Sequence, residues 1–158
     1  MGLLKLDDVT HWSIPVNNLE DSEGFYRDVL GLRYEGRLGN SGMCCFTIAG
    51  HYILLCQRND PVSRTPEQDN YVHHSFTVRP EVFDRACRLF RERGIRVARP
   101  IVYRERGFFP GREIYFLDPS GNVLELRDPT WKAGMPTPTW EEIALQSRAS
   151  SESRHPRA

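Results

Sequence analysis

Two histidines and one glutamate stand out in this 158-residue chain: His11, His73 and Glu125. Each lies in a stretch of alternating or β-branched residues. In an extended strand alternate side chains share a face. His11 then shares its face with Val9 and Ser13, and His73 with Ser75 and Thr77. Glu125 falls beside Val123 and Arg127, while Leu124 and Leu126 point the other way. A carboxylate in an apolar strand needs a partner, because an unpaired buried charge is very costly. Two imidazoles and that carboxylate could supply one another's partner through a divalent ion. Two His and one carboxylate with open positions is the arrangement of non-haem Fe(II) enzymes, and Mn, Ni, Co and Zn can use it too. Taken singly, each is more often a hydrogen-bonded residue than a ligand; Glu125 alone would pair with Arg127.

The elements that must position these residues recur. Residues 9–16 read as a strand and 19–30 as a helix ending at Gly31, followed by strands at 32–38, 43–49 and 52–58 with a Gly50-His51 turn. A polar, proline-containing linker at 59–70 interrupts the pattern, and the order then returns. A strand spans 71–78 and a helix 80–93, with Pro80 at its first position and Gly94 as its stop. Strands follow at 96–103, 113–117 and 122–127, the last two joined by Asp118-Pro119-Ser120-Gly121. An offset of 62 lays His73 on His11 and Val78 on Val16. The expected fold is α+β: two βαβββ modules, 1–58 and 71–128, whose curved mixed sheets enclose a metal pocket. Residues 129–158 form a C-terminal extension. Thr139-Trp140-Glu141-Glu142 opens a short helix with a capping box, and residues 148–158 read as a disordered tail.

Composition narrows the classes. Lys plus Arg equals Asp plus Glu at 21 each, so no net field favours nucleic acid or an anionic membrane. No signal-like start or membrane-length apolar run is present, which points to a cytoplasmic protein. Cys44, Cys45, Cys56 and Cys87 show neither CxxC spacing nor a disulfide framework and read as reduced thiols.

The segment His11-Trp12-Ser13-Ile14-Pro15-Val16-Asn17-Asn18-Leu19, continuing to Phe25-Tyr26-Arg27-Asp28-Val29-Leu30-Gly31-Leu32, resembles the opening module of the vicinal-oxygen-chelate superfamily. His73-His74-Ser75-Phe76-Thr77-Val78 and Tyr115-Phe116-Leu117-Asp118-Pro119-Ser120-Gly121-Asn122-Val123-Leu124-Glu125-Leu126 resemble its second. That superfamily holds glyoxalase I, extradiol dioxygenases, fosfomycin-resistance proteins, methylmalonyl-CoA epimerase and bleomycin-resistance proteins. The resemblance covers residues 9–128 and places His11, His73 and Glu125 on the family's metal positions.

What the resemblance implies is a divalent-metal enzyme acting on a small substrate that chelates the ion through neighbouring oxygens. Fe2+ or Mn2+ is favoured, with Zn2+, Ni2+ or Co2+ as alternatives, and no organic cofactor is expected. Aligning 52–56 with 122–126 puts Leu55 at the position of a fourth ligand, which favours a three-ligand site; a two-residue slip would offer Gln57 instead. Room for substrate and O2 on such an ion favours dioxygenase chemistry. An isomerase or lyase of glyoxalase or epimerase type is the alternative, as is a metal-free bleomycin-resistance-type binding protein. The loop Phe108-Phe109-Pro110-Gly111-Arg112-Glu113 lacks the serines of the fosfomycin transferases, which argues against fosfomycin. The stretch Tyr103-Arg104-Glu105-Arg106 lacks the upstream histidine of ring-cleaving dioxygenases. Tyr115 matches a pocket tyrosine; it reads either as a core aromatic or as a pocket hydrogen-bond donor, and in the second role it is the expected catalytic acid or base. Arg104, Arg106 and Arg112 are candidates to hold a substrate carboxylate. His74 is expected on the face opposite His73. Trp131, Pro136, Pro138 and Trp140 are expected to dock the tail on the body or on a partner. Because residues 131–147 show no evident socket within the chain, a homodimer is expected.

Overall fold

The computed structural model describes residues 9–61 and 72–152, with side chains to residue 146. Most of the linker expected at 59–70, Tyr71 and the end of the C-terminal tail lie outside the described residues. Two compact units emerge, one comprising 1–68 with 119–121 and the other 69–118 with 122–158. The architecture is α+β, with the βαβββ order present twice.

In the first unit, β1 (His11–Val16) pairs parallel with β4 (His51–Gln57). β3 (Met43–Ile48) and β2 (Arg33–Arg37) complete a sheet of order β1-β4-β3-β2. Asn18 caps α1 (Leu19–Gly24) by accepting from the Asp21 amide at 3.1 Å. The α-helix stops at Gly24, short of the continuous helix read from sequence. Residues Phe25–Val29 widen into a π turn, closed by Leu30 N donating to Phe25 O at 3.1 Å. Gly31 then turns at φ 71°, and Leu32 N reaches Tyr26 O at 3.0 Å. The wider turn keeps Tyr26 fully buried against Phe46. Ile14, Val16, Ile53 and Leu55 fill the rest of this core.

The second unit repeats the plan with β5 (His74–Thr77), α2 (Pro80–Arg93), β6 (Val97–Arg104), β7 (Gly111–Leu117) and β8 (Val123–Asp128), in sheet order β5-β8-β7-β6. α2 begins at Pro80 and ends at Gly94 in the left-handed conformation, as read from sequence. Its Phe83, Cys87 and Phe90 pack on Ile114, Phe116, Leu124 and Leu126, with the Phe90 and Phe116 rings 4.5 Å apart. Burying each such aromatic is worth about 2 kcal/mol or more. β7 starts two residues earlier than expected because Gly111, at φ 134°, passes close to β8. A Cβ there would stand 2.4 Å from Asp128 O, so no other residue fits.

The extension packs on the second unit. Trp131 is buried, donates Nε1–H to Pro136 O at 3.0 Å and packs at a tilt against Tyr103, ring centres 5.0 Å apart; the Tyr103 hydroxyl donates to Pro138 O at 2.5 Å. The capping box forms as expected: Thr139 N donates to Glu142 Oε2 at 2.7 Å, and Glu142 N to Thr139 Oγ1 at 3.2 Å. It opens α3 (Trp140–Glu152), which packs on α2 with Ile143 and Ala144 buried. The expectation that this segment lacks a socket within the chain is therefore overturned. The socket is built by β6 and α2, elements remote in sequence.

Candidate metal centre

β7 and β8 divide their side chains cleanly by alternation. Ile114, Phe116, Leu124 and Leu126 enter the core, whereas Glu113, Tyr115, Glu125 and Arg127 line a cavity of about 660 Å³ on the opposite face of the sheet. Pairing places Tyr115 opposite Glu125 and Glu113 opposite Arg127. On the other side of β8, Ser75 stands opposite Glu125 and Thr77 opposite Arg127. His73 precedes β5 by one residue and lines the same cavity.

His73 and Glu125 are brought together, with Nε2 and Oε2 3.0 Å apart. Glu125 is buried, so its charge needs that partner. Two ligands at right angles on a divalent ion, each bonded at about 2.1 Å, also stand about 3 Å apart. The pair therefore fits a metal edge as well as a hydrogen bond. His11 lies on the first unit, exposed at the start of β1 and in register with Tyr52. Among the described residues no group of three His, Cys, Asp or Glu side chains converges. His74 pairs with Leu124 and so lies on the core side, away from the cavity.

Tyr115 donates its hydroxyl to Glu113 Oε1 at 3.0 Å, and its ring meets His73 edge-on at 5.4 Å. Burial, then the neighbouring Glu125 and Glu113 carboxylates, push its phenol up to about 12. Glu113 also accepts from Arg104 Nε at 2.7 Å, and this bond holds the guanidinium protonated more firmly than usual. Glu113 was not singled out from sequence. The signal was available: a glutamate amid Ile114, Tyr115, Phe116 and Leu117, on the alternation of Tyr115.

Three expectations need correction. Arg112 does not join Arg104 and Arg106 at the cavity. It points to the opposite face, where it meets Asp84 at 2.9 Å and Asp128 at 2.8 Å and lies 4.4 Å over the Phe83 ring. Leu55 is not the counterpart of Glu125. Ser13 pairs with Leu54 as Ser75 pairs with Glu125, so Leu54 holds that position and Leu55 is core. A leucine stands there either way. Gln57 is turned from ligand duty by its own bond, since its Oε1 accepts from Leu19 N at the start of α1 at 3.1 Å. The cysteines are free, and burial first of all pushes Cys44 up to about 11 and Cys87 to about 12, so both are inert thiols at neutral pH.

Comparison with known proteins bears on the fold and the family. Glutathione transferase FosA of Serratia marcescens is 27% identical over 121 residues, covering 77% of this chain and 80% of that protein. Metallothiol transferase FosB of Staphylococcus epidermidis is 26% identical over 133 residues, covering 84% and 89%. Among solved structures, a variant of the fosfomycin resistance protein FosX of Listeria monocytogenes, complexed with Mn(II) and 1S,2S-dihydroxypropylphosphonic acid, superposes with a TM-score of 0.64. It is 22% identical, over 78% of this chain and 93% of that one. The model of the Glyoxalase/Bleomycin resistance protein/Dioxygenase superfamily matches residues 8–126, and the chain belongs to that family.

Proposed function

We propose that this protein is a divalent-metal-dependent transferase or hydrolase acting on a small anionic substrate that chelates the ion through neighbouring oxygens. The observation that carries this reading is a single cavity wall that combines the His73–Glu125 pair with Tyr115, Glu113 and Arg104. His73 and Glu125, with His11 as third donor, would hold the ion, which when bound supplies a Lewis acid and a template for substrate oxygens. Three guanidiniums, Arg104, Arg106 and Arg127, face two carboxylates in the lining, so the cavity favours an anion even before the metal charge is added. Glu113 engages the Tyr115 proton and leaves the phenol oxygen to accept from a substrate hydroxyl. The same carboxylate fixes Arg104.

The transferase reading draws support from FosA and FosB, and Mn(II) in the FosX complex makes that ion the first to test. The oxygenase expectation finds no support among these three relatives. Fosfomycin belongs in the substrate panel because FosX is a fosfomycin resistance protein, although the 108–113 loop lacks serines. Assembly as a homodimer, with modules paired within one chain or between two, is part of the same reading.

The test begins with metal content of protein purified without chelators or a nickel column. Mn(II)-loaded protein is then assayed with thiols or water against phosphonate and carboxylate epoxides, alongside an oxygen electrode. Product that incorporates thiol or water, formed equally well without O2, is expected. Turnover that requires O2 would restore the dioxygenase reading, and rearrangement without a second reactant would make the protein an isomerase. Tight binding of a planar antibiotic by metal-free, inactive protein would make it a sequestering protein.

A further inference from the structure

Two consecutive phenylalanines lie open to solvent at the rim of the cavity. Phe108 is 99% exposed and Phe109 67% exposed. Leaving such side chains in water forgoes the free energy of burying them. Their loop is nevertheless held in place. Gly107 and Gly111 flank it at φ 107° and 134°, a region that side chains rarely adopt. Arg127 donates from Nη2 to Pro110 O and lays its guanidinium 5.3 Å over the Phe109 ring. The same arginine keeps Nε buried without a hydrogen-bond partner among the described residues. Both phenylalanines line the cavity that holds His73, Glu125 and Tyr115. At about 660 Å³ it lies within the range of about 300–1,000 Å³ that suits drug-sized ligands and is larger than a three-carbon anion needs. A polar, metal-binding floor thus meets an aromatic lip.

We infer that the substrate carries a planar apolar group beside its anionic chelating oxygens, and that Phe108 and Phe109 select for that group. This rests on the anionic, metal-dependent reading above. It commits the phenylalanine pair to a small molecule, because both residues line the one cavity that His73 and Glu125 line and the Phe109 ring already lies 5.3 Å from a cavity arginine.

The experiment measures calorimetric binding of phenylphosphonate and methylphosphonate to the Mn(II)-loaded full chain. Phenylphosphonate is expected to bind about tenfold more tightly, the scale of one well-placed aromatic contact. In the F108A/F109A variant the two affinities should converge, while Mn(II) stoichiometry and methylphosphonate affinity stay as in the native protein. Equal binding of the two phosphonates by native protein, or a preference that persists in F108A/F109A, overturns the aromatic selection and leaves the anionic reading standing. If neither phosphonate binds the metal-loaded protein, the anionic reading itself fails and takes the inference with it. If F108A/F109A retains the preference but loses dimer mass in light scattering, the pair belongs to a protein interface instead.

Discussion

The Tyr115 hydroxyl donates to Glu113 Oε1 at 3.0 Å, across two residues of one strand that share a face. The carboxylate that accepts this hydrogen bond also holds Arg104, so one buried group sets the orientation of both cavity groups. Metal-free protein should show a phenol ionising near pH 12 in an ultraviolet titration that is lost in Tyr115→Phe. Glu113→Gln removes one of the two carboxylates that oppose ionisation, so that phenol should titrate lower. The sign for stability follows from the raised value. The contribution is whole below pH 10, the usual phenol value, and is lost as pH climbs towards 12. In turnover, Tyr115→Phe should lower kcat by about 100-fold with little change in KM, if the hydroxyl moves or directs a proton.

His11→Ala, His73→Ala and Glu125→Ala should each abolish stoichiometric Mn(II) binding in a folded protein, measured by atomic absorption and circular dichroism. His74→Ala should leave metal content unchanged, because His74 shares the core side with Leu124. A mixture of His11→Ala and His73→Ala chains, refolded together, adds a further reading. Each variant chain still carries what the other lacks. Metal returns to the mixture only where His11 of one chain joins His73 of another.

Asp128 should govern the acid limb of stability. Burial raises its carboxyl, but hydrogen bonds from the Thr130 hydroxyl and amide and from Arg112 outweigh that and leave it below the usual carboxylate range. A lowered carboxylate contributes stability above its ordinary value and loses it as pH falls through the folded one. Urea midpoints taken from pH 6 down to 2 should therefore fall in the native protein and fall less steeply in Asp128→Asn. At pH 7 that variant should cost about 3 kcal/mol, since it leaves Arg112 partly unpaired in a buried setting.

Trp131→Ala should destabilise the second unit by about 3 kcal/mol, the usual scale for emptying an aromatic socket. Tyr103→Phe, which deletes only the bond to Pro138 O, should cost about 1 kcal/mol. Truncation after Asp128 should lower the urea midpoint of the chain itself, because it uncovers α2 and Tyr103. An unchanged midpoint would return the extension to an intermolecular role.

Local patterns in the chain announced much of this protein. Pro80 and Gly94 bound α2 because a ring-locked φ starts a helix and a left-handed glycine ends one, and both effects act within a single turn. The Thr139–Glu142 capping box is equally local. Alternation over 123–127 placed Glu125 and Arg127 on one face and Leu124 and Leu126 on the other, since side-chain direction in a strand has a period of two. What depended on pairing between distant segments came only with the tertiary structure. The identity of Leu54 rather than Leu55 as the counterpart of Glu125 is a matter of cross-strand register, where one residue of slip exchanges the faces. Arg112 and Arg104 look alike in sequence. One is drawn to Asp84 and Asp128 beneath α2 and the other to Glu113 above the sheet, because the start of β7 pairs with the ends of β6 and β8. The sockets for Trp131 and α3 exist only where the extension meets β6 and α2. No spacing along the chain encodes such a meeting, because packing is a property of surfaces and not of intervals.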